Sequence, residues 1–313
     1  MTRTGRSGRS LPAMLVAVLV ALLAFIWPPV AAAQSVATDC SAEQAALASV
    51  HSQIDAHNAK PHRFELPRQA AALAAYDAEA AQLNAAQTTA IQNLQACRQR
   101  VQAMEQERQR ALDDLLDRAN SDYTPGPVDP AKVRAVRDAW NGLTGAGRRP
   151  SPSTGPNPAT RQWEVPPGSP LKPLYDAVRA TTPEWPFPNV RLQGAARPRI
   201  GDPDPSGYGG GVIGRAPGPR GGPNVSPDHI VPIARMMYLR GYTRLSPENM
   251  IAVANSPVNL QWMSRLANSA KSSKSIADVP KADPVWARSQ VALEKQTLTR
   301  LQDIIDRLLA NGG

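Results

Sequence analysis

The chain is poor in the residues that build several common classes of site. Among 313 residues there are two cysteines, four histidines and three phenylalanines, and aromatics make up 5%. Two cysteines with so few histidines near them exclude a zinc site built on them. Scarce aromatics beside 31 prolines argue against one large compact core. No paired carboxylates and no Cys–His couple are placed for a peptidoglycan-cleaving enzyme. Tyr208-Gly209-Gly210-Gly211 lacks the strand–loop–helix context and the Lys-Ser/Thr of a phosphate loop, and reads as a turn. Acids are also in deficit, 26 against 35 lysines and arginines, for a formal charge of +9.

Residues 1–33 have the order of a secretory signal. Arg3, Arg6 and Arg9 precede the apolar run 13–27, and Ala31-Ala32-Ala33 supplies small residues for cleavage. Pro28-Pro29 and the short run speak against a membrane anchor, so no stable span is expected after cleavage. The mature chain is then expected outside the cell, where Cys40 and Cys97 would pair as a disulfide.

Residues 34–120 read as a helical module. Ser41 with Gln44 has the capping-box pattern, and the first helix is expected to reach Ala56. HNAKPHRFELPR at 57–68 breaks it. A long second helix comes next, with a three-four seam through Leu73, Tyr76, Ala80, Leu83, Ala90, Leu94, Cys97, Val101, Met104 and Leu115, interrupted at Gln87 and Arg108. Small alanines demand a close partner helix; an antiparallel hairpin and a helix-mediated oligomer both fit. His51, His57 and His62 lack ligand spacing and read as helix-surface and turn residues. Residues 121–160 have linker composition, GAGRRPSPSTGPNPAT above all, and are expected to be largely extended, although short helices fit 131–140 and 171–180. Trp163, Trp185 and Phe187 are candidates to anchor the wider Pro/Gly/Ser-rich stretch 120–211 on the core of the C-terminal domain, 161–313.

Residues 227–275 carry the chemistry-bearing pattern. Asp228-His229-Ile230-Val231-Pro232 reads as a short strand forced to bend at the proline. Pro232 is expected to open a helix that Gly241 ends, and Ser246-Pro247-Glu248 a second one. Val258–Trp262 alternates like a half-buried strand, and a helix begins at Met263. Asn268 and Lys271 lie three apart on it and share a face. Two strands and a helix carrying Asp-His, Asn259 and Asn268-x-x-Lys271 resemble the ββα-metal core of HNH endonucleases, a resemblance covering about a sixth of the chain. The break at 57–68 before an Ala-rich helix also resembles the leader of some bacterial polymorphic toxins.

The HNH resemblance implies roles. His229 would be the general base for a water attacking a phosphodiester. Asp228 and Asn268 would hold one divalent cation, Mg2+ or else Mn2+, through oxygen. Asn259 would hydrogen-bond the imidazole side or the backbone of the first strand and fix the tautomer and angle of His229, and Lys271 would contact phosphate. Asn268 stands where other members carry histidine. From 212 to 275 there are eight lysines and arginines against two acids, so Lys274, Arg235 and Arg265 join Lys271 as expected nucleic-acid contacts. The last helix, 283–312, has an apolar stripe that needs cover. The expected fold is mainly α with a small α+β domain. It comprises an N-terminal helical hairpin or coiled coil, a Pro-rich linker, and a C-terminal ββα-metal core with added helices. The expected function is a secreted, metal-dependent endonuclease acting on nucleic acid, DNA rather than RNA, with a cognate inhibitor protein as a further partner. The alternative is a secreted scaffold or adhesion protein whose C-terminal part binds nucleic acid without cutting it.

Overall fold

Alanine-rich sequence with long polar side chains favours helix wherever proline is absent, and helices dominate the computed structural model of the chain. It describes residues 39–143, 155–183, 187–218 and 221–312. The leader at 1–33, residues 144–154 of the expected linker, Trp185 and Arg220 lie outside the described residues.

Helix α1 (Ser41–Asn58) and helix α2 (Ala70–Leu115) form an antiparallel hairpin within the chain. Ala90, Leu94 and Cys97 are its buried seam, with Leu47 and Val101 packed alongside. Cys40 and Cys97 are joined, with Cα atoms 5.9 Å apart. The Ser41–Gln44 capping box does not form. Asp39 instead accepts from the Ser41 amide at 3.1 Å and its hydroxyl at 2.7 Å. His57 is buried rather than on the surface, stacked on Tyr76 with Nδ1 3.1 Å from Glu79. Closing a loop of 57 residues restricts the unfolded chain by about 4 kcal/mol in the chain-entropy picture. A Cys40→Ser/Cys97→Ser variant should therefore exchange amide hydrogens much faster over 41–58, with exchange across the C-terminal core unchanged.

The expected tether at 121–160 is corrected for its first half. Asp129 accepts from the Ala131 amide at 2.8 Å and Pro130 sits at N1, so helix α3 (Pro130–Asn141) starts there. Val136, Leu143 and Tyr123 are buried. Proline and glycine content had read as linker, but the apolar spacing Val133–Val136–Trp140 decides the outcome by packing.

Nor is the helical module separate from the rest. The last turns of α2 (Ala111, Leu115) share one core with α3, helix α4 (Lys172–Ala180), helix α5 (Ile233–Met236), helix α6 (Pro247–Ala254) and the C-terminal helix α8 (Pro284–Ala310). The expectation of no single large core is overturned. Aliphatic and methionine side chains fill it, including Leu174, Val178, Met236, Met237, Met250, Leu301 and Ile305. The stripe of α8 is covered by α2 and by this core. Ser246 caps α6 by accepting from Asn249. The helix expected from Pro232 to Gly241 is shorter, a single turn succeeded by bends. Gly241 adopts φ 79°, and a Cβ there would lie 2.4 Å from Leu309.

The sheet is one antiparallel pair, β1 (Val225–His229) and β2 (Leu260–Ser264), with helix α7 (Arg265–Lys271) starting directly after β2. Asp228 faces Gln261 and His229 faces Leu260 in register. Both strands are shifted from their expected spans, β1 earlier and β2 later. Asn259 takes over at the open end, its carbonyl accepting from Ile230 at 2.8 Å.

Candidate active site

β1 ends on Asp228 and His229, and α7 runs back across it. Ser264 accepts from the Ala267 amide and starts α7 directly at the end of β2. That tight junction puts Asn268 and Lys271, one turn apart, over β1. Asn268 Nδ2 donates to Ser226 Oγ at 2.9 Å and to the Pro227 carbonyl at 3.4 Å. Lys271 Nζ donates to Asp228 Oδ1 at 3.1 Å and to the His229 carbonyl at 2.6 Å.

Asp228, His229 and Asn268 line one cleft of about 690 Å³. Its opposite wall is the segment 162–182, tied to the end of α7 by the Trp163 amide donating to Ser273. His229 is half-buried, and its Nε2 is shut inside with no well-formed hydrogen bond. This leaves Nδ1 as the nitrogen available to the cleft. Desolvation, helped by the nearby Lys271 charge, pushes the imidazole down to about 4; the Ala254 backbone and Asn255 side chain pull the other way. The ring is therefore neutral at pH 7, a base able to accept a proton.

That shift carries a stability consequence. The unfolded imidazole protonates near 6.5 and the folded one near 4. Stability is fully present above pH 6.5 and is lost as pH falls toward 4. In EDTA, the wild type should lose about 1–3 kcal/mol over that window relative to a His229→Gln variant; the lower end reflects the part of the ring that meets solvent. Urea denaturation of both proteins at pH 7, 5.5 and 4.5 measures the difference.

Asp228 is buried, and Gln261 Nε2 donates to its second oxygen at 3.2 Å. Burial pushes its carboxyl up, while Lys271 and Gln261 favour the charged form. Each oxygen keeps a further lone pair. One carboxylate and one amide suit a hard cation that completes its shell with water and phosphate oxygens, so the donor set fits Mg2+ better than zinc. Among the described residues there is no group of three His, Cys, Asp or Glu side chains able to hold a metal.

Several expected roles change. Lys271 is no phosphate contact: it is 1% exposed and its ammonium is spent on Asp228 and the His229 carbonyl. Asn259, expected among the catalytic residues as the group that hydrogen-bonds the imidazole side or its strand, is fully buried and holds the backbone. Its Oδ1 accepts from the Val231 amide at 2.8 Å and its Nδ2 donates to the Val231 carbonyl at 3.0 Å, clamping the chain just past His229. Arg235 pairs with Glu294 and lies over the Trp163 ring, 4.7 Å from its centroid, so it holds the cleft wall from behind. Lys274 is half-buried and donates to the Ala270 carbonyl at 3.2 Å. Arg265 lies near Arg197, whose pKa is lowered by burial and by the Arg265 charge; Lys274 and Arg265 line no part of the cleft.

Sequence reading missed the cleft's other wall: Lys172, Tyr175 and Arg179 on α4. Their i, i+3, i+7 spacing was there to be read, beside the apolar stripe Leu171, Leu174, Val178. Gln261 was also missed; its place opposite Asp228 emerges only once the strand register is known.

No family model, curated protein or solved structure matches the chain.

Proposed function

We propose that the chain is an exported, metal-dependent endonuclease with an HNH-like ββα-metal site. The observation that carries this reading is the convergence of His229, Asp228 and Asn268 on one cleft, with Asn259 clamping the backbone just beyond them. His229 accepts a proton at Nδ1 from a water whose oxygen attacks phosphorus, while the phosphorus bond to the leaving oxygen breaks. Its neutral state at pH 7 makes it competent to do so. Asp228 and Asn268 would hold Mg2+, which would supply charge neutralisation at the phosphate and the leaving oxygen. Lys271 fixes the end of β1 through Asp228 and the His229 carbonyl, and Asn259 fixes Val231 on the far side of it. Export places such an activity where an inhibitor protein would be needed to protect the producing cell.

Incubation of the purified protein with supercoiled plasmid in Mg2+ and in EDTA tests the reading. Nicking in Mg2+ alone is expected. A second reading, a binder that does not cut, is favoured by one observation: both Asp228 oxygens already accept from Lys271 and Gln261. Retention of plasmid with no nicking in Mg2+ or Mn2+ would establish that reading instead.

A further inference from the structure

The stripe of α4 facing the cleft meets the core only through Tyr175, which packs against its edge as Trp163 does. Leu174 and Val178 point into the protein and are fully buried, whereas Lys172, Tyr175 and Arg179 line the cleft opposite Asp228 and His229. The Arg179 side chain is exposed and makes no hydrogen bond or ion pair among the described residues. Lys172 pairs with Asp176 at 2.5 Å, an exposed i, i+4 pair of small worth, and its ammonium lies 5.6 Å from the Tyr175 ring centroid. Trp163 stands on the same wall, braced from behind by Arg235. Cations beside half-buried aromatic rings are the chemistry of strand binding: the charges track phosphates and the rings stack bases. A cleft of about 690 Å³ has the size of a small-ligand site, which suits a base turned out of the strand that carries it.

We infer that Arg179 and Lys172 hold the backbone of a single nucleic-acid strand across the cleft, with Tyr175 and Trp163 receiving an unpaired base, so that the substrate is single-stranded or locally unpaired. This rests on the nuclease reading for its purpose, though not for its measurement. Arg179 supplies the free charge. Tyr175 and Trp163 offer ring surface to any base and so confer little sequence preference. DNA and RNA share this phosphate and stacking chemistry and are distinguished only by the test.

The test is binding of fluorescein-labelled 12-mers to the full chain in EDTA, where no cutting occurs, read by anisotropy. The probes are a dT strand, an rU strand and a mixed-sequence duplex. The dT or rU strand should bind at least about 10-fold tighter than the duplex. Arg179→Glu should weaken strand binding about 10-fold or more, and Tyr175→Leu severalfold. Arg134→Glu makes the same charge change on an exposed part of α3 away from the cleft and serves as the control. Equal losses in the Arg179 and Arg134 variants, or a duplex bound as tightly as the strands, would overturn the inference. Failure of nicking with Arg179-dependent strand binding intact would sink the nuclease reading alone. Nicking that survives while strand affinity ignores Arg179 would sink this inference alone.

Discussion

His229→Ala is expected to lower Mg2+-dependent plasmid nicking by about 10²–10⁴-fold while leaving the fold in place. The wild-type ring is half-buried, and its buried nitrogen makes no well-formed hydrogen bond, so removing it breaks no strong bond inside the protein. A small cavity is left between β1 and the end of α6, with a modest stability cost. The loss of rate should therefore appear with near-normal circular dichroism and unchanged strand affinity in EDTA. His229→Gln keeps most of the volume and should be as inactive. Nicking by His229→Ala at the wild-type rate would remove the histidine from the chemistry altogether.

The second large effect concerns the ion pair under the cleft. Asp228 and Lys271 are 4% and 1% exposed at the side chain and 3.1 Å apart. Removing one partner strands a buried charge, which typically costs about 3–5 kcal/mol. Lys271→Met should lower stability by about that amount, because Asp228 keeps only Gln261 as a donor and its carboxyl is already pushed up by burial. The double variant Asp228→Leu/Lys271→Met carries no buried charge and should recover much of the lost stability without recovering nicking. Urea denaturation of the wild type, the two single variants Asp228→Leu and Lys271→Met, and the double variant closes a double-mutant cycle that measures the coupling. A Lys271→Met protein as stable as the wild type would show that water reaches this pair freely.

Local signals in the sequence were enough to locate most elements. Proline at the first helical position after an Asp or Ser marked α6 and α8, and the Asp-His, Asn and Asn-x-x-Lys spacing brought three side chains to one cleft. Charge roles were another matter. A lysine three residues after Asn268 reads as a surface cation until the tight β2–α7 junction places it over Asp228. Arg235 looks equally free until Glu294, 59 residues away, is packed against it. Such pairings depend on long-range contacts, which a local pattern does not encode. Composition misled at 121–143 for a related reason: proline and glycine content describes turns, while three apolar residues at helical spacing determined burial. The cleft's α4 wall was readable from periodicity, but nothing local in the chain set it opposite His229.

The unbroken run of α2 from residue 70 to residue 115 has a mechanical consequence. At 1.5 Å per residue it is a rod roughly 70 Å long. Partway along it is riveted to α1 through the sulfurs, and its C-terminal end is embedded in the core that holds Leu301 and Ile304. There is no joint along it. Whatever grips the outer tip would hold the cleft at a set distance and bearing, as a handle holds a blade. Cutting the rod away at residue 120 would strip from α8 the share of its cover that Ala111 and Leu115 provide and leave that side of its apolar stripe facing water.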